Sequence, residues 1–505
     1  MTKILDFIYS VLDTFVNFMW GNWMIVLLVG TGIILSFMTR FIQIRKFTLS
    51  IKYLFKSSKK SRTLKDTEGD ISPFAALMTA LAATVGNGNI AGVAAAIATG
   101  GPGAPLWMWV SGIFGMATKY AECFLGVKYR QVAEDGSMAG GPMYYCRNGI
   151  KNKSIAKSLG MLFAICGGMT ALLGTGNMVQ SNSMALAFKS QFGVPTIISA
   201  IVIAFFVGIV ILGGIKRIGA VAEKLVPAMI LFYIGGALII LIARFTELDD
   251  AFVLIFKSAF SLQAASGALI GTSVQKAISL GVRRGVLSNE AGLGSAAIAQ
   301  SAAKYPEPTF NGLLGMTGVF IDTILVNTIT TLTIIVTGVW KLTPACGVGL
   351  LKEAEIFGAD KIANLHPDVI SMADKIGYNL SNGGLSSTAL TVEAFNSVLP
   401  FGGIIIAIGS LVFGYTTLLG WAYYGEQCIG YIWGVKSHTP YRIVFITLLF
   451  AGALLTGHYM DIVWNIGDSF NAVMAFPNLI GLLLLANIVA KITKKAFNSG
   501  NNLTE

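Results

Sequence analysis

Charged residues are scarce in this chain of 505 residues. Asp, Glu, Lys and Arg make up only 12% of the sequence, and 54% of it is hydrophobic. A soluble domain usually carries about 25% charged residues, so this chain lacks the polar surface that would cover it in water. The shortage indicates a membrane protein, and the 58 glycines fit the close packing of membrane helices.

Histidine is also rare, and the cysteines form no motif. With no CxxC pair, no metal-ligand spacing and no Ser/His/Asp set in sight, we expect neither an enzyme nor a bound cofactor. A channel is not favoured either, because no repeated rings of charge are visible. The residues in question are His366, His438, His458, Cys123, Cys146, Cys166, Cys346 and Cys428.

Apolar segments of the length that crosses a bilayer, about 17–25 residues, recur along the whole chain. We expect eleven transmembrane helices and no soluble domain, preceded by an amphipathic helix at the N-terminus that lies in the membrane interface. The segments are 22–44, 74–98, 104–127, 156–183, 194–214, 219–244, 251–285, 311–340, 388–434, 440–457 and 461–492.

Basic residues alternate between the connections and predict the orientation. Segment 45–72 contains eight Lys and Arg residues, and every second connection after it is basic, whereas the others are neutral or acidic. Under the positive-inside rule this pattern places the N-terminus outside the cell membrane and the C-terminus in the cytoplasm. The net charge of +11 is then explained by cytoplasmic loops, without a nucleic-acid partner.

The spans divide into two halves once the first is set aside. We expect residues 1–72 to hold the amphipathic helix, the extra span and a basic cytoplasmic loop, and 496–505 to be a cytoplasmic tail. Segments 73–246 and 247–495 then carry five spans each. An odd number of spans gives the halves opposite orientation, as in inverted-repeat transporters, whose binding sites use interrupted helices at corresponding positions.

The first span of the first half contains such an interruption. The run TVGNGN at 84–89 places two Gly and two Asn near the bilayer middle. Glycine allows non-helical dihedrals and Asn competes for backbone hydrogen bonds. An unwound turn here would offer carbonyls to a cation and the N–H groups of the next half-helix to an anion.

The corresponding span of the second half contains SLQAASGALIGTSVQK at 261–276. We expect its interruption, and the second part of the site, at Gly271, Thr272, Ser273 and Gln275. Ser288, Asn289 and Glu290 follow on the cytoplasmic side, where an inner gate is expected.

Further polar residues at membrane depth are less specific. Gly167, Gly168 and Thr170 lie on a small polar stripe, which close helix packing would also explain, and Asp322 falls near the midplane of its span. Asn327 lies above Asp322. The adjacent hydroxyls of Thr416 and Thr417 are candidates for sodium ligands, although a lone Thr often bonds its own helix.

The chain resembles the alanine or glycine:cation symporter family (sodium:alanine symporters) over essentially its full length, and three stretches carry the resemblance. They are GGPGAPLWMWVSGIFG at 100–115, RRGVLSNEAGLGSA at 283–296 and GWAYYGEQ at 420–427. Pro105 and Leu106 differ from the residues usual in the family, in a loop. The resemblance implies the fold of the amino acid–polyamine–cation superfamily: all-α, of the leucine-transporter type, with two inverted five-helix repeats and two broken helices.

The resemblance also implies Na⁺ coupling and small neutral substrates, mainly alanine or glycine, moved by alternating access. In this interpretation the first break, with Thr84, Gly86, Asn87 and Gly88, holds the substrate carboxylate, and the second holds its ammonium group. Gly167 and Gly168 would leave a small pocket wall, and Thr170 is the candidate substrate ligand of that stripe. The expected sodium ligands are Ala83, Gly86, Asn89, Asn327, Thr416 and Thr417. A proton-coupled carrier or exchanger of the same fold, with Asp322 as its proton group, stays open as the alternative.

Overall fold

The computed structural model is built of helices that run through an apolar interior. It describes residues 2–60, 68–260, 274–346, 370–373, 385 and 387–498. The helices of the first part are α1 (Thr2–Met19), α2 (Asn22–Met38), α3 (Ile42–Arg45), α4 (Phe47–Lys60), α5 (Pro73–Thr84), α6 (Val93–Gly100), α7 (Ala104–Lys128), α8 (Pro142–Gly149), α9 (Lys153–Leu173), α10 (Met178–Phe192), α11 (Thr196–Ile211) and α12 (Gly214–Ala243).

The second part continues in the same way. Its helices are α13 (Leu248–Phe260), α14 (Val274–Asn289), α15 (Ser295–Ser301), α16 (Pro308–Val319), α17 (Thr328–Val336), α18 (Ser387–Asn396), α19 (Gly402–Trp433), α20 (His438–Leu454) and α21 (His458–Asn498). The π-helical turns Gly88–Gly92 and Phe320–Asn327 precede α6 and α17. The strands β1 (Gln131–Val132) and β2 (Met138–Ala139) form a short antiparallel hairpin.

Six of the described helices are long and apolar enough to cross a membrane, or seven if α5 with the segment Gly88–Gly100 is one broken span. Helices α7, α11 and α20 are not among the six, and α11 has only 16 residues. The chain is therefore a multi-pass membrane protein, while the number of eleven spans and the five-plus-five repeat stay predictions.

Local sequence explains where the central helices begin. The side chain of Ser72 accepts a hydrogen bond from Ala75 N (3.0 Å) at the start of α5, and Pro73 occupies the first helical position. Glu307 caps α16 in the same way, with Pro308 after it. Both pairings satisfy amides that a helix start leaves free.

Burial separates a central group of helices from a peripheral one. Nearly all of α5 and most of α7 and α16 are buried, because glycines and alanines let these helices pack closely against α14 and α15. Helix α11, by contrast, exposes Phe205 at 61% and Ile201 at 57%. Exposed aliphatic and aromatic side chains of this kind suit a lipid-facing surface, so α5, α7 and α14 to α16 form the inside of the molecule.

Candidate functional site

The first interruption lies between α5 and α6, where the sequence predicts it. Val85 leaves the helical region with ψ 96°, and the two half-helices meet at an angle of 49°. The backbone N–H of Gly86 donates to the side-chain oxygen Oδ1 of Asn89 (2.8 Å). Asn89 thus replaces the acceptor that the Gly86 amide would have in a continuous helix. No buried amide is left unpaired at Gly86.

A second interruption of the helical backbone lies between α14 and α15. Glu290, Gly292 and Gly294 have φ values of 56°, 99° and 80°, which end the helix because an α-helix requires negative φ. A Cβ atom added to Gly115, halfway along α7, would lie 3.0 Å from Ala291 Cβ. The break therefore lies at the depth of the middle of α7, inside the packed helices.

This interruption is a different one from that predicted around 271–275, which stays a prediction. Gly271, Thr272 and Ser273 lie outside the described residues. Gln275 is described, but it is exposed in the first turn of α14 and does not line the central cavity. Glu290, which the sequence analysis assigned to an inner gate, lies buried at the interruption between α14 and α15 and lines the cavity, and the gate stays a prediction.

The two interruptions face each other. The side-chain amide of Asn89 donates to Ser288 Oγ (3.1 Å), one helical turn before the second break. A Cβ atom on Gly88 would lie 3.5 Å from Ser288 Cα. The segment at Gly88 is therefore in van der Waals range of the end of α14.

A cavity of about 1200 Å³ opens beside both breaks. That volume exceeds the roughly 300–1,000 Å³ that encloses a drug-sized ligand, so the structure holds an open vestibule rather than a closed pocket. Its lining residues come from the two breaks and from α10, α18, α19 and α21. Among the predicted site residues it contains Ala83, Thr84, Gly86, Asn87, Gly88 and Thr417.

Asn87 has a partner that the sequence analysis did not select. Its Nδ2 donates to Gln180 Oε1 on α10 (3.1 Å), and both residues line the cavity. The side-chain oxygen of Asn87 is buried and has no partner among the described residues, which leaves it free for a ligand. Thr84, by contrast, bonds its own helix at Ala80 O (3.2 Å). The sequence could have indicated Gln180 as a site residue, because a polar side chain lies there at membrane depth.

Behind the first break lies a fully buried polar cluster around Asp322. The carboxylate accepts hydrogen bonds from Asn89 Nδ2 (2.7 Å), from Ser288 Oγ (2.9 Å) and from Thr323 Oγ1 (2.8 Å). Asn327 joins the cluster, since its Oδ1 lies 2.8 Å from the same Asn89 nitrogen. Within the described part of the chain no Lys or Arg lies within 4.0 Å of this carboxylate, and the side chains that donate hydrogen bonds to it are all neutral.

The side chain of Asn89 marks an oxygen-rich position in this cluster. Four oxygens lie within 3.3 Å of its nitrogen: Ser288 Oγ, Asp322 Oδ1, the main-chain oxygen of Asp322 and Asn327 Oδ1. An amide nitrogen has only two hydrogens to donate, so the oxygens outnumber its donors. Oxygen-rich surroundings with one carboxylate suit a hard cation.

A second oxygen-lined position lies between α5 and α19. A Cβ atom added to Gly86 would be 2.7 Å from Thr417 Oγ1, and one added to Gly420 would be 3.0 Å from Ala83 N. Thr417 Oγ1 is buried and has no hydrogen-bond partner among the described residues. Thr416 points elsewhere and bonds its own helix at Val412 O (3.1 Å). The structure thus brings Ala83, Gly86 and Thr417 together without Thr416.

Gly168 and Thr170 do not reach the cavity. A Cβ atom on Gly168 would contact Ile429 of α19 at 3.1 Å, and Thr170 is fully buried. These residues let α9 pack against α19 and α21. Close helix packing, which the sequence left open as an explanation of this stripe, describes the position of Gly168 and Thr170.

Charged groups lie at opposite ends of the site. At the cavity Arg283 Nη2 pairs with Asp468 Oδ2 of α21 (3.3 Å), and Arg284 contributes to the lining. At the other end Arg130 donates to the main-chain oxygens of Ser301 (3.0 Å) and Glu68 (3.1 Å). Together the two contacts join the segment before α5 to the end of α15.

A family model described as the sodium:alanine symporter family matches residues 5–373 and 369–502. The sodium/alanine symporter AgcS of Methanococcus maripaludis is 46% identical over 494 residues, covering 98% of each chain. A Bacillus subtilis protein named "Putative sodium/proton-dependent alanine carrier protein YrbD" is 34% identical, covering 93% of this chain and 88% of its own. The "Probable sodium/glutamine symporter GlnT" of Bacillus subtilis is 32% identical, covering 97% and 90%.

Proposed function

This chain belongs to the sodium:alanine symporter family, and we propose that it couples inward movement of Na⁺ to uptake of small neutral amino acids, alanine and glycine, by alternating access. Members of the family transport an amino acid together with a cation, so the class of amino-acid:cation symporter is established by membership. The identity of the cation, the size of the substrate and the direction of transport are the parts proposed.

The observation that carries the proposal is the buried carboxylate of Asp322 behind the first break. A carboxylate at membrane depth whose hydrogen-bond partners are all neutral is costly unless a cation or a proton balances it. Asn89 joins Asp322 directly to the break through its amide. A cation bound there would therefore stabilise the same arrangement of the break that holds the substrate, which is the condition for coupling.

The substrate fits between the two breaks in one direction. The half-helix that starts at Gly88 has amides that helix geometry leaves unpaired, and these attract a carboxylate. Asn87 and Gln180 add side-chain groups on the same side. The second break presents Glu290, which is 3% exposed and lines the cavity. Its negative charge suits the ammonium group of an amino acid.

We assign Na⁺ to two positions. Main-chain oxygens near Ala83 and Gly86 with Thr417 Oγ1 would form one. Ser288, Asp322 and Asn327 would form the other, where a cation would replace the amide nitrogen of Asn89 that these oxygens now contact. Both consist of oxygen ligands, which hard cations prefer. Na⁺ acts here as the transported coupling ion, and we propose no resident cofactor.

We further propose that the N-terminus lies outside the cell membrane and the C-terminus in the cytoplasm, from the alternation of basic connections. The vestibule then opens outward. The end closed by Arg130 faces the cytoplasm, so the arrangement is that of a carrier ready to receive substrate from outside.

Purified protein in liposomes tests the proposal. We expect accumulation of radiolabelled alanine against its gradient when Na⁺ is high outside, with glycine competing and a Na⁺ ionophore abolishing uptake. A potassium-only gradient of the same ionic strength serves as the control. Uptake that does not depend on Na⁺ would contradict sodium coupling.

Proton coupling is the second candidate, and the same carboxylate favours it. A proton on Asp322 would remove the buried charge as effectively as a bound cation does. Uptake driven by an imposed proton gradient in Na⁺-free buffer is the result that distinguishes this alternative.

A further inference from the structure

Glu122, in the last third of α7, accepts two main-chain hydrogen bonds from the second break. Its oxygen Oε1 accepts from Gly292 N (2.9 Å), from Gly294 N (3.0 Å) and from Asn478 Nδ2 of α21 (2.8 Å). The residue is fully buried. One carboxylate oxygen therefore joins three segments: α7, the break and α21.

Glycine is required at both donor positions. The φ values of Gly292 (99°) and Gly294 (80°) are ones that L side chains rarely adopt. A Cβ atom at Gly292 would also lie 2.5 Å from Leu28, and one at Gly294 would lie 2.4 Å from Pro142. The turn thus directs the amides of two alternate residues, 292 and 294, at the same acceptor oxygen.

An ion pair with Lys119 does not explain why a carboxylate is buried at position 122. Lys119 Nζ is 4.0 Å from Glu122 Oε2, which is too long for a hydrogen bond. Neither Nζ nor Oε2 has a hydrogen-bond partner among the described residues. The close contacts of Glu122 are all made by Oε1, and two of the three go to the main chain of the break.

These bonds determine which groups the break offers to the cavity. The N–H of Ala291 donates to Asn289 Oδ1 (2.8 Å), so with Gly292 and Gly294 three amides of the break are occupied by acceptors of the protein itself. Free main-chain amides attract carboxylates. Because these amides are taken, the second break has little to offer a substrate carboxylate, while Glu290 remains on the cavity.

We propose that Glu122 is a positioning residue of the transport site: by holding the amides of Gly292 and Gly294 it fixes the second break as the end that receives the substrate's ammonium group. Glu122 itself does not touch the substrate. This inference rests on the proposed function, since it assumes that a zwitterionic amino acid binds between the breaks.

Three variants separate positioning from a general effect on folding. Glu122→Gln keeps one acceptor oxygen, Glu122→Asp keeps the charge but shortens the reach, and Glu122→Ala removes both. Glu426→Gln is the matched control, because Glu426 is equally buried but bonds Arg442 (2.8 Å) on α20, away from the breaks.

We expect the KM for alanine to rise at least about tenfold in Glu122→Ala and Glu122→Asp, since hydrogen bonds to a charged group each contribute at least that factor. Vmax should change little, and Glu122→Gln should recover most of the affinity. Propionate, which lacks the ammonium group, should compete relatively better against alanine in Glu122→Ala because the freed amides attract a carboxylate, whereas alaninamide, which lacks the carboxylate, should gain nothing. An unchanged KM in Glu122→Asp, or an equal rise in Glu426→Gln, would overturn the proposal.

Hydrogen exchange gives a measure that does not depend on the substrate. Peptides covering 290–294 should exchange faster in Glu122→Asp and Glu122→Ala than in the wild type, while those of α20 should not. Failure of wild-type uptake with Na⁺ would refute the proposed function alone. Unchanged exchange at 290–294 would refute the role of Glu122 whatever the substrate is.

Discussion

The side-chain amide of Asn89 lies 2.7 Å from the carboxylate of Asp322, although 233 positions separate the two residues in the sequence. One of them belongs to the first break and the other to the middle of the span that begins at Pro308. Because of this contact, a change in the charge of Asp322 alters a hydrogen bond made by the first break. The geometry thus supplies a short physical route between ion binding and substrate binding.

Removing this charge should weaken sodium coupling. Asp322→Asn keeps the size of the side chain and most of its acceptors, but it loses the negative charge. Unit charges 4 Å apart interact by about 4 kcal/mol at an effective dielectric of about 20, so we expect the Na⁺ concentration for half-maximal uptake to rise at least about tenfold. The measurement is alanine uptake against external Na⁺.

Asn327→Ala provides the comparison, since it removes a neutral ligand and should have a smaller effect. A sodium dependence that is the same in Asp322→Asn as in the wild type would remove Asp322 from the cation site.

The first break should not tolerate a methyl group at Gly86. A Cβ atom there would lie 2.7 Å from Thr417 Oγ1, which is closer than real Cβ atoms approach. We expect Gly86→Ala to reduce uptake by at least about tenfold, because a small displacement in a binding site is enough for that. Gly92→Ala is the control: Gly92 also lines the cavity, but nothing lies within 4 Å of its added Cβ. Similar activity in the two variants would contradict the close approach of α5 and α19.

Asn87 and Gln180 should matter for binding, and Gln275 should not. Asn87→Ala removes a cavity-lining amide with a free buried oxygen, and Gln180→Ala removes its partner. We expect the Kd for alanine to rise about tenfold in each, as for the loss of a buried hydrogen bond. The double variant should be less than additive, because the residues are in contact.

Gln275→Ala changes an exposed residue, so its affinity should equal that of the wild type. Isothermal titration of detergent-purified protein at saturating Na⁺ measures all four variants. A large loss in Gln275→Ala would restore the site first predicted from the sequence.

Arg130 should hold the closed end of the site. Its guanidinium bonds main-chain oxygens before α5 and after α15, and the main chains themselves pair through Lys304 N and Ile71 O (2.8 Å). We expect Arg130→Ala to speed hydrogen exchange in peptides covering 68–71 and 301–304, since one side chain supplies several of the bonds. Arg147→Ala, which changes an exposed arginine stacked on Tyr431, is the control. Equal exchange in both variants would argue against a role for Arg130 in closure.

The first break could be predicted from the sequence because its cause is local. Two glycines and two asparagines in TVGNGN interrupt an apolar helix whatever surrounds them, and Asn89 satisfies Gly86 only three positions away. The interruption at 290–294 was not predicted, for the opposite reason, whereas the one predicted around 271–275 stays a prediction because 271–273 lie outside the described residues. The run SNEAGLG is no more conspicuous than SGALIGTS, and what stabilises its turn is Glu122, about 170 residues earlier in the chain.

The sequence by itself determined the membrane class, the family and the first break, because composition, charge alternation and glycine content act over short stretches. Only the tertiary structure decided which polar residues meet. In it Asp322 bonds Asn89, and Thr417 rather than Thr416 lies beside the first break. Gly168 and Thr170 lie in a contact between helices. The physical reason is that a buried polar group must find partners wherever the packing brings them, and no local pattern records which distant helix that will be.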